Sequence, residues 1–262
     1  MVDTMRAERF CADSKTIAVE DIPVPEPGPG EVLVKVAFCG ICHSDLSLIN
    51  GIFPAQQPVV TQGHEASGTI AGLGAGVTGW AEGDRVIVAA GRPCMTCPNC
   101  RRGDMTNCLR VQLMAFAYDG AWAEYTAAQA VGLTRVPDNV PLEQAAILAD
   151  AVSTPFDAVG LKSTFEQGLD CVTVGGRLVS VGMSAESPSV GPTSMFGLAQ
   201  KYVLGHLGYQ NVDIETLATL LSRGRLDLSR SISDIVSLED VSVGIEKLER
   251  QEGNPIRILA KP

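Results

Sequence analysis

Short runs of strand character, cut by Gly and Pro, fill the chain up to about residue 140, and helical periodicity takes over beyond it. Glu31–Phe38, Ala66–Gly72, Arg85–Ala90 and Ala123–Ala127 read as strands, and the Pro/Gly-rich stretch 23–31 as a rigid entry loop. A helix is expected from Pro141, with Asp138 or Asn139 as its cap. Leu142, Ala145, Ala146 and Leu148 or Ala149 would form its inward face. After residue 155 the pattern becomes α/β. Ser163 to Glu166 has the form of a capping box opening a helix through Cys171. Ala158–Gly160, Arg177–Gly182 and Tyr202–Leu207 read as strands, Ile214–Ser222 and Leu238–Arg250 as helices, and Ile256–Ala260 as a closing strand.

Composition narrows the class. The 262 residues are 45% apolar but only 5% aromatic, so the core must be built from aliphatic side chains. No apolar run reaches the roughly 18–20 residues that span a bilayer. The N-terminus has no hydrophobic stretch after its charges, so it does not read as a secretion signal. Met1–Thr4 reads either as an upstream start or as an added scar, with Met5 the other possible first residue. A reducing, cytoplasmic compartment follows as the expectation. The net charge of −10, with no basic stretch longer than Arg101-Arg102, argues against nucleic acid and against an anionic membrane surface.

The cysteines carry the most chemistry. Cys94, Cys97, Cys100 and Cys108 follow a C-x2-C-x2-C-x7-C spacing among turn-forming glycines and prolines. Four thiolates so spaced suit a tetrahedral zinc ion with no open position, hence a structural one. Two disulfides are the competing arrangement, but nothing else in the chain reads as secreted. A second constellation lies in Gly40–Asp45 and Gly63–Glu65, each at the end or start of an expected strand. Cys42, His43, His64 and Glu65 are individually weak candidates. They gain weight together because the ends of neighbouring strands converge.

These motifs, with GDRV at 83–86, GAWAEY at 120–125, ILADAVSTPF at 147–156, the segment 164–182 and SLEDVSVGIEKLE at 237–249, resemble the zinc-dependent alcohol dehydrogenases of the medium-chain dehydrogenase/reductase (MDR) family. The resemblance implies an α+β chain with an α/β part. A GroES-like β-rich catalytic domain would occupy residues 1–154, a truncated Rossmann-like parallel sheet 155–236, and a returning helix and strand 237–262. It implies Cys42, His64 and Asp150 as catalytic zinc ligands, with a fourth position open to water or a substrate oxygen. By the same resemblance Ser44 takes the alcohol proton, and His43 passes it to solvent or contacts cofactor phosphate. Asp45 fixes the His64 tautomer, and Glu65 lies beside the metal. Gly182, Met183 and Ser184 would line the nicotinamide side. Leu46, Ile49, Phe53 and Met114 fall near family pocket positions, where apolar residues favour a primary alcohol or aldehyde.

One part of the family pattern is missing. The cofactor sheet requires a strand, a G-x-G-x-x-G turn and a helix whose N-terminus receives the pyrophosphate. The Gly74–Gly79 stretch fits the letters but is followed by Trp80-Ala-Glu-Gly-Asp rather than by a helix. The break falls near Pro155–Asp157, and two βαβ steps of roughly 30 residues each are absent there. The expectation is therefore a zinc alcohol dehydrogenase-type oxidoreductase (EC 1.1.1.-) with weakened or lost NAD(P) binding, acting on a small alcohol or aldehyde. The alternatives are a non-redox zinc enzyme and a zinc-stabilised scaffold, natural or engineered. Loss of half the sheet exposes an edge, and Tyr202–Leu207 is the expected contact of a homo-oligomer.

Overall fold

A computed structural model describes residues 3–51, 54–105, 108–148, 157–172, 176–206 and 210–262. In chain order the strands are β1 (Thr4–Cys11), β2 (Thr16–Pro23), β3 (Glu31–Ile41), β4 (Val59–Thr61), β5 (Ala66–Leu73), β6 (Arg85–Val88), β7 (Gly91–Arg92), β8 (Gln112–Leu113), β9 (Tyr125–Gln129), β10 (Leu133–Arg135), β11 (Arg177–Ser180), β12 (Tyr202–Gly205), β13 (Ile232–Ser237) and β14 (Arg257–Lys261). The helices are α1 (His43–Ile49), α2 (Pro98–Arg101), α3 (Leu142–Leu148), α4 (Lys162–Cys171), α5 (Thr193–Leu198), α6 (Asn211–Ser222) and α7 (Val241–Glu249).

Two compact units emerge, residues 1–151 with 210–262, and residues 152–209. In the first, β3 is the organising strand. Its alternation of buried Val32, Val34 and Val36 with outward Lys35 fits a half-buried strand. It pairs antiparallel with β5, with β9, and through Cys39–Ile41 with β14, in a sheet ordered β10-β6-β5-β3-β14-β13. Gly68 permits that pairing, since a Cβ there would stand 2.1 Å from the Lys35 carbonyl. Val32, Val34 and Ile258 join Leu238, Val241, Ile245 and Leu248 in one aliphatic core. A second sheet, β2-β1-β4, is joined to this unit by Glu8 N, which donates to Trp122 O at 2.8 Å.

In the second unit β11 and β12 run parallel, and α4 packs Phe165 and Leu169 on Leu178. The parallel pair agrees with the remnant of a Rossmann-like sheet. The expected strand at Ala158–Gly160 is reduced to a single bridge, Asp157 with Ser180. Here Gly160 turns at φ +76° and lies against Gly182. The expected capping box is also absent. Leu161 caps α4 without a side-chain bond, and Glu166 accepts from Ser189 N at 2.9 Å instead. The helix expected beside the half sheet, α6, belongs to the first unit. There Asn211 Nδ2 donates to Val131 O, and Asn139 Nδ2 to Ser222 O.

Candidate metal centres

The end of β3 and the start of α1 build one wall of the first centre. Cys42 caps α1 with extended backbone (φ −112°, ψ 156°), and its N–H donates to Asp45 Oδ2 at 3.0 Å. That bond holds the fully buried Asp45 carboxylate, whose Oδ1 stands 3.3 Å from His64 Nδ1. A carboxylate on Nδ1 places the ring proton there and leaves the Nε2 lone pair free for a ligand. Nε2 lies 3.0 Å from Ser44 Oγ, which donates to Cys42 Sγ at 3.2 Å. One hydroxyl therefore touches both donor atoms. Burial works against charge on the imidazole, but Asp45 and Cys42 outweigh it and raise His64 well above its usual range, so an ion binding there displaces the Nε2 proton.

Among the described residues Glu65 is the third donor close to Cys42 and His64. It is fully buried, and its Oε1 pairs with Arg257 Nη1 of β14 at 3.0 Å. Two glycines make room for the site. A Cβ on Gly40 would stand 1.9 Å from Glu65 Oε2. Gly63 turns at φ +86°, and a Cβ there would meet Trp122 Cδ1 at 2.4 Å. Trp122 Nε1 in turn donates to Gly40 O at 3.1 Å. Gly40→Ala is therefore expected to displace Glu65 and cost about 1–3 kcal/mol, as overpacking of a filled site does. Thermal melts check this, and an unchanged Tm would show that Glu65 moves freely.

Asp150 and Phe53 lie outside the described residues, as does the side chain of His43. Leu46 and Met114 are buried members of the main core, and Ile49 packs against it, so packing accounts for all three. Sequence reasoning missed Phe116, whose ring lies 6.2 Å from that of His64, and Arg257, which no motif connects to Glu65.

The second centre gathers all four expected cysteines. Cys97 caps α2, and its Sγ accepts from Cys100 N at 3.5 Å. Cys94 N and Arg110 N donate to Cys108 Sγ at 3.2 and 3.4 Å. The Sγ atoms of Cys97 and Cys100 are 3.5 Å apart, and those of Cys97 and Cys108 are 4.0 Å apart. A disulfide needs about 2.05 Å. Tetrahedral Zn–S bonds of about 2.3 Å set the sulfurs roughly 3.8 Å apart. The lobe has the dimensions of a zinc site, and all eight cysteines are unbridged. Hydrogen bonds from Thr96 pull Cys94 down to about 5, whereas burial pushes Cys100 up to about 12. Full ionisation of this set calls for a cation.

Two family models match stretches of the chain. Residues 28–138 match the alcohol dehydrogenase GroES-like domain, and residues 116–223 match the zinc-binding dehydrogenase domain. An alcohol dehydrogenase of Schizosaccharomyces pombe is 38% identical over 148 residues, which is 55% of this chain and 42% of that protein. One from Rhizobium meliloti is 37% identical over 175 residues, 66% of this chain and 51% of that protein. The chain thus spans about half the length of the curated relatives it matches. Its fold is similar to that of alcohol dehydrogenase TADH from Thermus sp. ATN1, with a TM-score of 0.85 at 23% identity, covering 98% of this chain and 99% of that one. Across residues 28–223 the chain thus resembles, in sequence, the two domains of zinc-binding alcohol dehydrogenases, and its fold is similar to theirs.

Proposed function

We propose that the chain is a zinc-dependent alcohol dehydrogenase-type oxidoreductase that interconverts a small alcohol and its aldehyde. One observation carries this reading: Cys42 Sγ and His64 Nε2 converge on Ser44, while Asp45 holds Nδ1 on the opposite side of the ring. The donor set, one thiolate, one neutral imidazole and a carboxylate, suits catalytic zinc. Cys42 and His64 would hold the ion, with Asp150 as third ligand and Glu65 beside it. When bound, zinc supplies a Lewis acid that favours the ionised alcohol or polarises the carbonyl, and nicotinamide supplies the hydride acceptor.

The chain's own residues do the rest. Ser44 accepts the hydroxyl proton as the alcohol is oxidised while releasing its own to His43, which passes a proton outward. Asp45 keeps the imidazole in the ligating tautomer, and Arg257 holds Glu65. The ion of the Cys94–Cys108 lobe would be structural. The expected Tyr202–Leu207 contact, of which Leu207 lies outside the described residues, would pair with a second copy through Tyr202–Gly205, which sedimentation velocity tests, since a monomer at every concentration removes that contact.

Nicotinamide contacts would come from the Gly182–Ser184 turn. Gly182 is unsuitable for mutation, because a Cβ would stand 2.3 Å from Gly160 N. Met183 is 57% exposed and serves better. Calorimetric titration of NADH into protein of known zinc content is expected to show binding that Met183→Glu abolishes, together with alcohol turnover. Zinc content is expected to fall in Asp150→Asn. No NADH binding to fully loaded protein would overturn the redox reading. Hydrolysis of an activated ester would then point to water activation, and absence of any turnover to a zinc-stabilised scaffold.

A further inference from the structure

Next to the Asp45–His64 couple lies a buried acid that the reaction does not use. Glu8 of β1 is only 1% exposed, and among the described residues neither of its carboxylate oxygens has a hydrogen-bond partner. Gln62, whose main chain lies against Glu8, is fully buried, and among the described residues its Oε1 also lacks a donor. Its Nε2 reaches the Asp45 carbonyl at 3.4 Å. Glu8 and Gln62 flank the Arg9–Thr61 pair of β1 and β4, so three buried acceptor oxygens lie on adjacent segments, and an ionised carboxylate there is favoured only weakly, by the Gln62 main chain and Arg9. Protonating Glu8 turns one of them into an O–H donor.

The surrounding charges favour this state. Asp45 faces Glu8 from α1 and repels its charge. Arg9, the neighbouring cation on β1, is committed to Thr61 Oγ1 at 2.9 Å and to Asp119 at 2.6 Å. On the adjoining segments Glu124 accepts from Arg6 N, Glu65 pairs with Arg257, and His64 is engaged by Asp45. Burial first, and Asp45 second, lift Glu8 to about 8, against weaker pulls from the Gln62 main chain and Arg9. The Glu8 backbone is fixed by the same residue, Trp122, whose indole bonds the Gly40 carbonyl.

We propose that Glu8 is held as a neutral carboxylic acid whose proton is donated into the Gln62–Asp45 acceptor cluster, which makes it a positioning residue for Asp45 and, through it, for the His64 imidazole. The part concerning His64 rests on the metal-site reading above. The protonation of Glu8 does not.

Two variants separate the roles. Glu8→Gln keeps a neutral donor of the same shape, and Glu8→Leu keeps the volume without a donor. The folded-state pKa is raised from 4.5 to about 8. The stability that Glu8 contributes is therefore full below about 4.5 and is lost as pH rises towards about 8. Glu8→Gln escapes this loss, so its Tm is expected to gain on the wild type steadily across that window. A Tm difference that does not change with pH would overturn the neutral-acid assignment. The second readout is zinc affinity at the Cys42–His64 site, measured by chelator competition near neutral pH on protein whose cysteine lobe is already filled. Glu8→Gln is expected to stay within about threefold of wild type. Glu8→Leu is expected to weaken binding about tenfold, the low end for residues that orient a metal-bound histidine. Wild-type affinity in Glu8→Leu would overturn the positioning role. If the wild type takes up no second zinc, the metal reading fails with it, and the pH dependence of Tm alone decides whether Glu8 is neutral.

Discussion

Replacing Cys100 with serine is expected to remove one of two zinc equivalents and to lower Tm by several degrees. Cys100 is buried, and its sulfur stands 3.5 Å from that of Cys97. Among its described residues, the segment from Cys94 to Cys108 contributes only the four-residue helix α2, and its cluster of buried residues consists of Cys97, Cys100 and Cys108. So small a core cannot hold a loop without a metal. Three remaining thiols, one with Sγ pulled down to about 5 by Thr96, cannot close a tetrahedron. A loss of about 2–3 kcal/mol would lower Tm by roughly 4–12 °C in a chain of this size. Cys171→Ser, an exposed thiol on α4, is the control and should change neither quantity. Zinc analysis with a melting curve checks both. Two equivalents retained in Cys100→Ser would mean that the lobe is held by something other than the four sulfurs.

The two centres were not equally legible in the sequence. The cysteine lobe could be read from spacing alone, because all its donors lie in one short loop. The Cys42–His64 centre could not, because its donors come from separate strand ends and are brought together by the β3–β5 pairing. Only the joint motifs suggested it. The Glu65–Arg257 pair, 192 residues apart, left no local signal. Strands with clean burial patterns, such as β3 and β5, were placed close to their observed limits. β1 was missed because Arg6, Glu8 and Arg9 interrupt its apolar alternation, and Glu8 is buried in spite of its charge. In β2 the side chains are half-buried or exposed throughout, so no apolar face marks it. The apparent capping box at Ser163–Glu166 failed because α4 begins before Ser163, with Leu161 as its cap, and Glu166 is taken by Ser189 N. A local motif lost there to partners distant in the chain.

Cys42→Ala should remove the other zinc equivalent and reduce alcohol turnover by at least about a thousandfold. Such a reduction corresponds to roughly 4 kcal/mol of transition-state stabilisation, within what a metal Lewis acid supplies. The substitution leaves β3 and α1 intact. The α1 capping bond runs from the Cys42 backbone N–H to Asp45, and alanine keeps that N–H. Stability should therefore change little while metal content and turnover fall together. Asp45→Asn should behave differently. It keeps both ligands but no longer provides the carboxylate that fixes Nδ1, so zinc affinity should drop about 10- to 100-fold. Cys39→Ala is the matched control, since its thiol is buried on β3 and lies outside the Cys42–His64–Glu65 group. The informative contrast is between zinc content and rate. If turnover persists in Cys42→Ala after its zinc has gone, the metal is not the electrophile. The convergence on Ser44 would then be a structural hydrogen-bond network, and the dehydrogenase reading of this pocket would fall.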